Sequence, residues 1–234
     1  MDRRQFNSAC IPLLGAWLVS THVPAQALSV GDLTQAEASQ GLKTALNQGA
    51  LAAVQLLGRP DGFLGNEKVR IPLPGFLNDA AGLLRGLGQG QRLDELVLAM
   101  NRAAEAAVPL ARDLLVNAVK GMSVSDAKQI LTGGETSVTQ FFAEKTRAPL
   151  QVKFLPVVTQ ATAKVGVAEK YNRLAGKAAD FGLLKREDAS IEQYVTGKTL
   201  DGLYLMVGEE ERKIRQDPVG TGSALLQKVF GALR

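Results

Sequence analysis

The chain has 234 residues, 46% of them apolar and 21% charged, enough apolar material to bury a sizeable core in one domain or two tightly packed ones. Its formal charge of +4, with only 5% aromatic residues, excludes the dense basic stripe with interleaved aromatics that single strands stack on, so no nucleic-acid partner is expected.

Residues 1–27 read as a cleavable export signal. Arg3 and Arg4 precede an apolar stretch from Ala9 to Val19, and Ala25 and Ala27 supply the small residues a signal peptidase accepts, which places cleavage after Ala27. The apolar stretch is shorter than the roughly 20 residues of a bilayer span and is interrupted by Pro12 and Gly15, so no permanent membrane span is expected after signal removal. Arg3, Arg4 and Phe6 fit a twin-arginine signal, whereas Asn7, where an apolar residue is usual, fits a general secretory one. Either route delivers the chain to the periplasm. Cys10 precedes the apolar stretch instead of ending it, so lipid attachment is not expected.

Cleavage removes the only cysteine, Cys10, the only histidine, His22, and Trp17. Residues 28–234, read as a single helical domain, then hold no thiol and no imidazole. Disulfides, His or Cys metal sites and the common nucleophile–base pairs are thereby excluded, and neither metal nor cofactor is expected.

From Leu33 onward the pattern is helical. Thr34 and Glu37 form a capping box ahead of a helix with Leu42, Leu46, Ala53 and Leu57 on one stripe, ending at Gly58. Gly41, Ala45, Gly49 and Ala53 recur every four residues, which predicts a surface approached closely by another helix. Residues 59–74 lapse from the helical period and predict an extended loop, with room for a short strand pair, pinned by Phe63, Leu64 and Ile71. Pro74 opens a helix predicted to turn Phe76, Leu77, Ala80, Leu83, Leu84 and Leu87 inward. The steps of three and four from Leu93 to Ala118 predict one long core helix bent at Pro109. Further helices are expected from Ser123 to Gly133, Ser137 to Thr146, Pro149 to Val165 with a kink at Pro156, and Val167 to Ala178. A capping box at Ser190 and Gln193 starts a helix that runs to Asp217, and a last helix carries Leu225, Leu226, Val229, Phe230 and Leu233.

Three motifs invite chemistry and are better read as structure. Gly197-Lys198-Thr199 has the ending of a phosphate loop, but Glu192 stands where that loop needs glycine and the approach is helical. Glu209, Glu210 and Glu211 point in different directions around a helix; the i,i+4 spacing pairs Glu209 with Lys213 and Glu211 with Arg215 on a solvated face. Ser125 and Lys128 have Ser-x-x-Lys spacing without the accompanying elements of penicillin-interacting enzymes. The remaining polar constellation is Asn101, Glu105 and Arg112 on one side of the long helix beside Pro109, with Arg102 close by. It reads as a hydrogen-bond network between helices; the competing reading is a pocket in which Glu105 works with Arg102 or Arg112.

The segments "GLKTAL" (41–46), "DGFLGNEKVRIPLP" (61–74), "MNRAAEAAVPLA" (100–111), "ILTGGETSVTQFF" (130–142), "YVTGKTLDGLYLMVGEEERKIRQDP" (194–218) and "LLQKVFG" (225–231) resemble, in order, a bacterial family known as domain of unknown function 4197. The resemblance implies an exported, mainly helical envelope protein of Gram-negative bacteria, with no catalytic residue assigned. Gly197, Gly202 and Leu203 look like packing positions within it.

The expected fold is an all-α, compact bundle of about seven or eight helices, two of them proline-kinked, with one extended loop. The expected role is a non-catalytic binding or scaffold module in the periplasm, its partner an envelope protein. The alternatives are a carrier of an apolar ligand in a cavity between kinked helices, and a carboxylate-dependent enzyme using Glu105.

Overall fold

The computed structural model describes residues 35–134, 136–182, 185 and 189–217. The export signal with Arg3, Arg4, Phe6, Ala25 and Ala27, the Thr34 cap and the final helix lie outside the described residues.

The fold is all-α, and no strand occurs among the described residues. In chain order the helices are α1 (Gln35–Leu57), α2 (Gly75–Gly86), α3 (Gly90–Ala107), α4 (Arg112–Lys120), α5 (Val124–Thr132), α6 (Ser137–Thr162), α7 (Gly166–Asp180) and α8 (Ile191–Gln216), with a 3-10 turn, Val108–Ala111, between α3 and α4. α8 runs through the centre, flanked by α1, α3 and α6, while α4 and α5 cover α1. α2 and α7 are peripheral, each resting on α3. No helix among the described residues is long and apolar enough to cross a membrane.

The small-residue row of α1 is used internally. Gly41, Ala45, Gly49 and Ala53 are all buried, and a Cβ on Gly49 would lie 3.3 Å from the Glu211 amide nitrogen of α8. The close helix approach predicted from the row is therefore the α1–α8 contact. Gly202 of α8 is a packing glycine in the same sense, its missing Cβ 2.9 Å from the Phe63 ring, and Leu203 is buried. Gly197 has open space beside it and is not.

Proline acts differently at its two sites. The single long helix predicted across Pro109 is broken: α3 ends at Ala107, a tighter turn takes Pro109, and α4 starts afresh at Arg112. Pro149 and Pro156, by contrast, lie inside one continuous 26-residue helix where two segments were expected. Both prolines are exposed, as are Lys145 and Val152, the residues four positions before them. The carbonyls that lose their amide partners thus sit on the solvent side, where water replaces the missing bonds. Leu150, Phe154 and Val158, which point away from the prolines, are buried.

The charged end of α8 departs from the predicted pairing. Glu209 accepts from Lys68 of the 58–74 loop at 2.7 Å, Glu210 from Lys213 at 2.6 Å, and Glu211 is buried. The predicted Glu209–Lys213 pair is replaced: Lys68 of the loop takes Glu209, and Lys213 turns to Glu210 three positions before it.

Local signals hold where they are strong. Ser123 and Asp126 form a full capping box at α5, and the depressed Asp126 carboxyl owes its shift first to the Ser123 backbone hydrogen bond. Ser190 caps α8 by accepting from the Gln193 amide at 3.2 Å. Thr199 of the Gly-Lys-Thr motif donates to the Val195 carbonyl inside α8, so no phosphate loop forms.

Tyr204 carries a pH-dependent part of the stability. The Thr146 hydroxyl donates to the Phe142 carbonyl at 2.6 Å, so in its 2.9 Å contact with Thr146 the Tyr204 hydroxyl is the donor. Burial raises the Tyr204 pKa above its ordinary 10.0. A raised pKa means the neutral form is favoured in the fold: this contribution is fully present below the unfolded value and is lost as pH rises through the folded one. In urea unfolding, Tyr204→Phe is expected to cost about 1 kcal/mol at neutral pH and to lose less further stability than the parent above pH 10. Parallel alkaline losses in the two proteins would refute the assignment.

Candidate functional site

The sequence-predicted constellation is brought together in part. Asn101, wholly buried on α3, accepts from the Ile71 amide at 2.8 Å and donates from Nδ2 to the Ile71 carbonyl at 2.9 Å and the Val97 carbonyl at 2.8 Å. A side-chain amide thus serves as the partner that a neighbouring strand would give Ile71, and the 59–74 segment forms no strand pair. One turn on, Glu105 is 5% exposed; its Oε1 accepts from the Phe63 and Leu64 amides at 3.1 and 3.2 Å, and its Oε2 from Arg102 at 2.7 Å.

Arg102 also reaches Asp61 at 2.8 Å, and its guanidinium is held further towards the charged form, first by the Glu105 hydrogen bond and then by Asp61. Asp61 is the residue missing from the predicted set. Its φ of 62° places it in the left-handed region, which aspartate tolerates better than most side chains, and the Pro-Asp-Gly turn was the signal that pointed to it. Arg112 does not join: it is exposed, beyond the 3-10 turn that the proline imposes.

This arrangement is a clasp. The loop is fixed to α3 by Asn101, Arg102 and Glu105, and to α8 by Phe63 packed on Gly202 and by the Tyr194 hydroxyl donating to the Pro72 carbonyl at 3.2 Å. Both Glu105 oxygens are already engaged by donors of the chain itself. The reading of this cluster as a hydrogen-bond network, here between a loop and a helix, is the one its geometry matches.

The cavity lies elsewhere. A groove of about 770 Å³ runs between the two peripheral helices over the start of α3, lined by Leu77, Ala80 and Leu84 of α2, Gln89, Arg92, Leu93 and Glu95 at and after the α3 start, and Val165, Gly166, Val167, Lys170, Tyr171 and Leu174 at α7. α2 is held in place by Arg85, which grips Asp94 of α3 at 2.5 and 3.3 Å. That pairing raises the Arg85 pKa and lowers that of Asp94, in both through their shared hydrogen bond first. α7 is held by Asn172, which accepts from the Ile191 amide at the start of α8 and donates to Glu192, both at 2.8 Å.

Several large apolar side chains at α2 and α7 stand exposed. Leu83 and Leu87, predicted to turn inward, are 70% and 66% exposed, and on α7 Leu174 and Phe181 are 56% and 81% exposed. These exposed leucines and the phenylalanine amount to apolar surface without a partner among the described residues. The apolar period of α2 is legible in the sequence, but not that its second half is left exposed among the described residues. Among the described residues no cluster of His, Cys, Asp or Glu is arranged to hold a metal ion.

Comparison with curated proteins and with solved structures finds no match. A family model described as "Protein of unknown function (DUF4197)" matches residues 32–231. That match takes in the clasp, the groove and nearly all of the chain beyond the export-signal reading, and it establishes that the chain belongs to the DUF4197 family.

Proposed function

We propose that this protein is a non-catalytic binding module of the bacterial periplasm whose binding site is the groove between α2 and α7. The observation that carries this reading is the groove itself: about 770 Å³, walled by leucine, valine and alanine, lies within the size range of small-molecule sites. Of the occupants considered from the sequence, an apolar ligand fits better than a protein seated on small residues, because the small-residue row of α1 is already taken up by α8. The enzyme alternative loses its base, since Glu105 is occupied with main-chain amides and Arg102. The periplasmic address is supported by Arg3, Arg4, Phe6, Ala25 and Ala27 alone.

Native mass spectrometry of the protein recovered from the periplasm is the direct test, with a retained apolar small molecule expected. Leu174→Asp, at a position too exposed to unfold the domain, places a charge on the groove wall and is expected to weaken binding of a 14-carbon alcohol at least tenfold, about 1.4 kcal/mol. Undiminished binding by Leu174→Asp would remove the groove from consideration. A protein subunit co-purifying in place of a small molecule, with its binding lost in the same variant, would favour the scaffold role.

A further inference from the structure

The groove's polar groups specify the head of its ligand, an inference that rests on the groove being a binding site. Its walls are apolar, whereas its charged lining residues are two cations, Arg92 and Lys170, and one acid, Glu95; Asp94 and Glu169, in the same helix starts, are paired with Arg85 and Arg173. Neither cation has an ion-pair or hydrogen-bond partner among the described residues, while Arg85, Arg102 and Arg147 each grip a carboxylate. Glu95 is drawn back along α3, accepting from Gln91 at 3.0 Å. The helix starts at Gln89 and Val165 have no side-chain cap, so their first amides add to the positive potential at this end of the groove.

Two cations and one acid leave a single positive charge beside an apolar trough, the complement of a molecule with one negative charge and one long chain. We propose that the groove takes a long-chain fatty acid, its carboxylate between Arg92 and Lys170 and its chain along Leu77, Leu84 and Leu174. Arg92 and Lys170 also bring hydrocarbon stems that extend the trough beneath their charges.

Calorimetric titration of the exported, full-length domain with tetradecanoate and with tetradecanol, an equal chain bearing a neutral head, separates head from chain. The carboxylate is expected to bind about fivefold tighter at low ionic strength, from two exposed charge contacts, with the advantage shrinking as salt is added. Shortening the chain by one methylene should weaken both ligands about fourfold. The double variant Arg92→Glu with Lys170→Glu, both surface positions, is expected to reverse the preference, so that tetradecanol binds tighter than tetradecanoate. Equal affinity for the two heads, or a preference that survives the double variant, would overturn the fatty-acid assignment and leave the apolar groove standing. Failure of both chains to bind would overturn the groove reading as well.

Discussion

Replacing Glu105 by alanine is expected to lower the unfolding free energy by about 3 kcal/mol, because two main-chain amides lose a charged acceptor at once. The amides of Phe63 and Leu64 have no alternative partner where they lie: Phe63 is fully buried, and the loop that carries them is pressed between α3 and α8. Arg102 adds little to the loss, since it is 41% exposed and keeps Asp61. For a domain of this size the melting temperature should fall by about 10 °C. Glu105→Gln, which keeps one carbonyl oxygen for the amides but turns an NH₂ group towards the guanidinium or forfeits that bond, should cost about 1 kcal/mol. Hydrogen exchange at Phe63 and Leu64 should accelerate in the alanine variant before the rest of the loop does. An alanine variant that melts like the parent yet loses the cellular phenotype would move Glu105 from the clasp to a chemical role.

Gly62→Ala is expected to be at least as damaging, about 3 kcal/mol, by a purely steric route. A Cβ at this position would lie 2.4 Å from the Leu57 carbonyl oxygen and 2.6 Å from that of Leu56, main-chain atoms of the last turn of α1 that cannot rotate away. Relief requires the loop to lift, and lifting it withdraws Phe63 from its seat on Gly202 and its amide from Glu105. Gly197→Ala provides the control: it is helical with open space beside it, so the added methyl should stabilise by about 0.5–1 kcal/mol. Chemical denaturation of the pair decides it, and a Gly62→Ala protein as stable as the parent would mean that the loop is not wedged against α1.

The polar cluster was half legible before the fold was known. Asn101 and Glu105 stand one turn apart on a strongly periodic helix, so that they share a face followed from spacing alone. Their partners did not follow: Ile71, Phe63 and Leu64 offer backbone groups, and a main-chain amide leaves no trace in residue identity. Arg112 was drawn in by the assumption of an unbroken helix, and the 3-10 turn at Pro109 changes the angular register that would have aligned it with Glu105. The groove was less legible still, for the leucines of α2 look the same in sequence whether a neighbour covers them or not.

What the sequence determined by itself is therefore the local layer. Helical periods, the Ser123 and Ser190 caps, the glycine stops and the all-α class follow from rules of backbone geometry that act within a few residues. Tertiary structure decided which helix ends meet and which faces stay open. It set Pro149 and Pro156 on a solvent side that tolerates them, traded the predicted Glu209–Lys213 pair for Lys68, and left α2 and α7 apart over the start of α3. The physical reason is range: capping and periodicity are satisfied by the nearest neighbours along the chain, whereas burial, charge pairing and cavity formation depend on groups brought together from distant positions, whose arrangement only the packed whole defines.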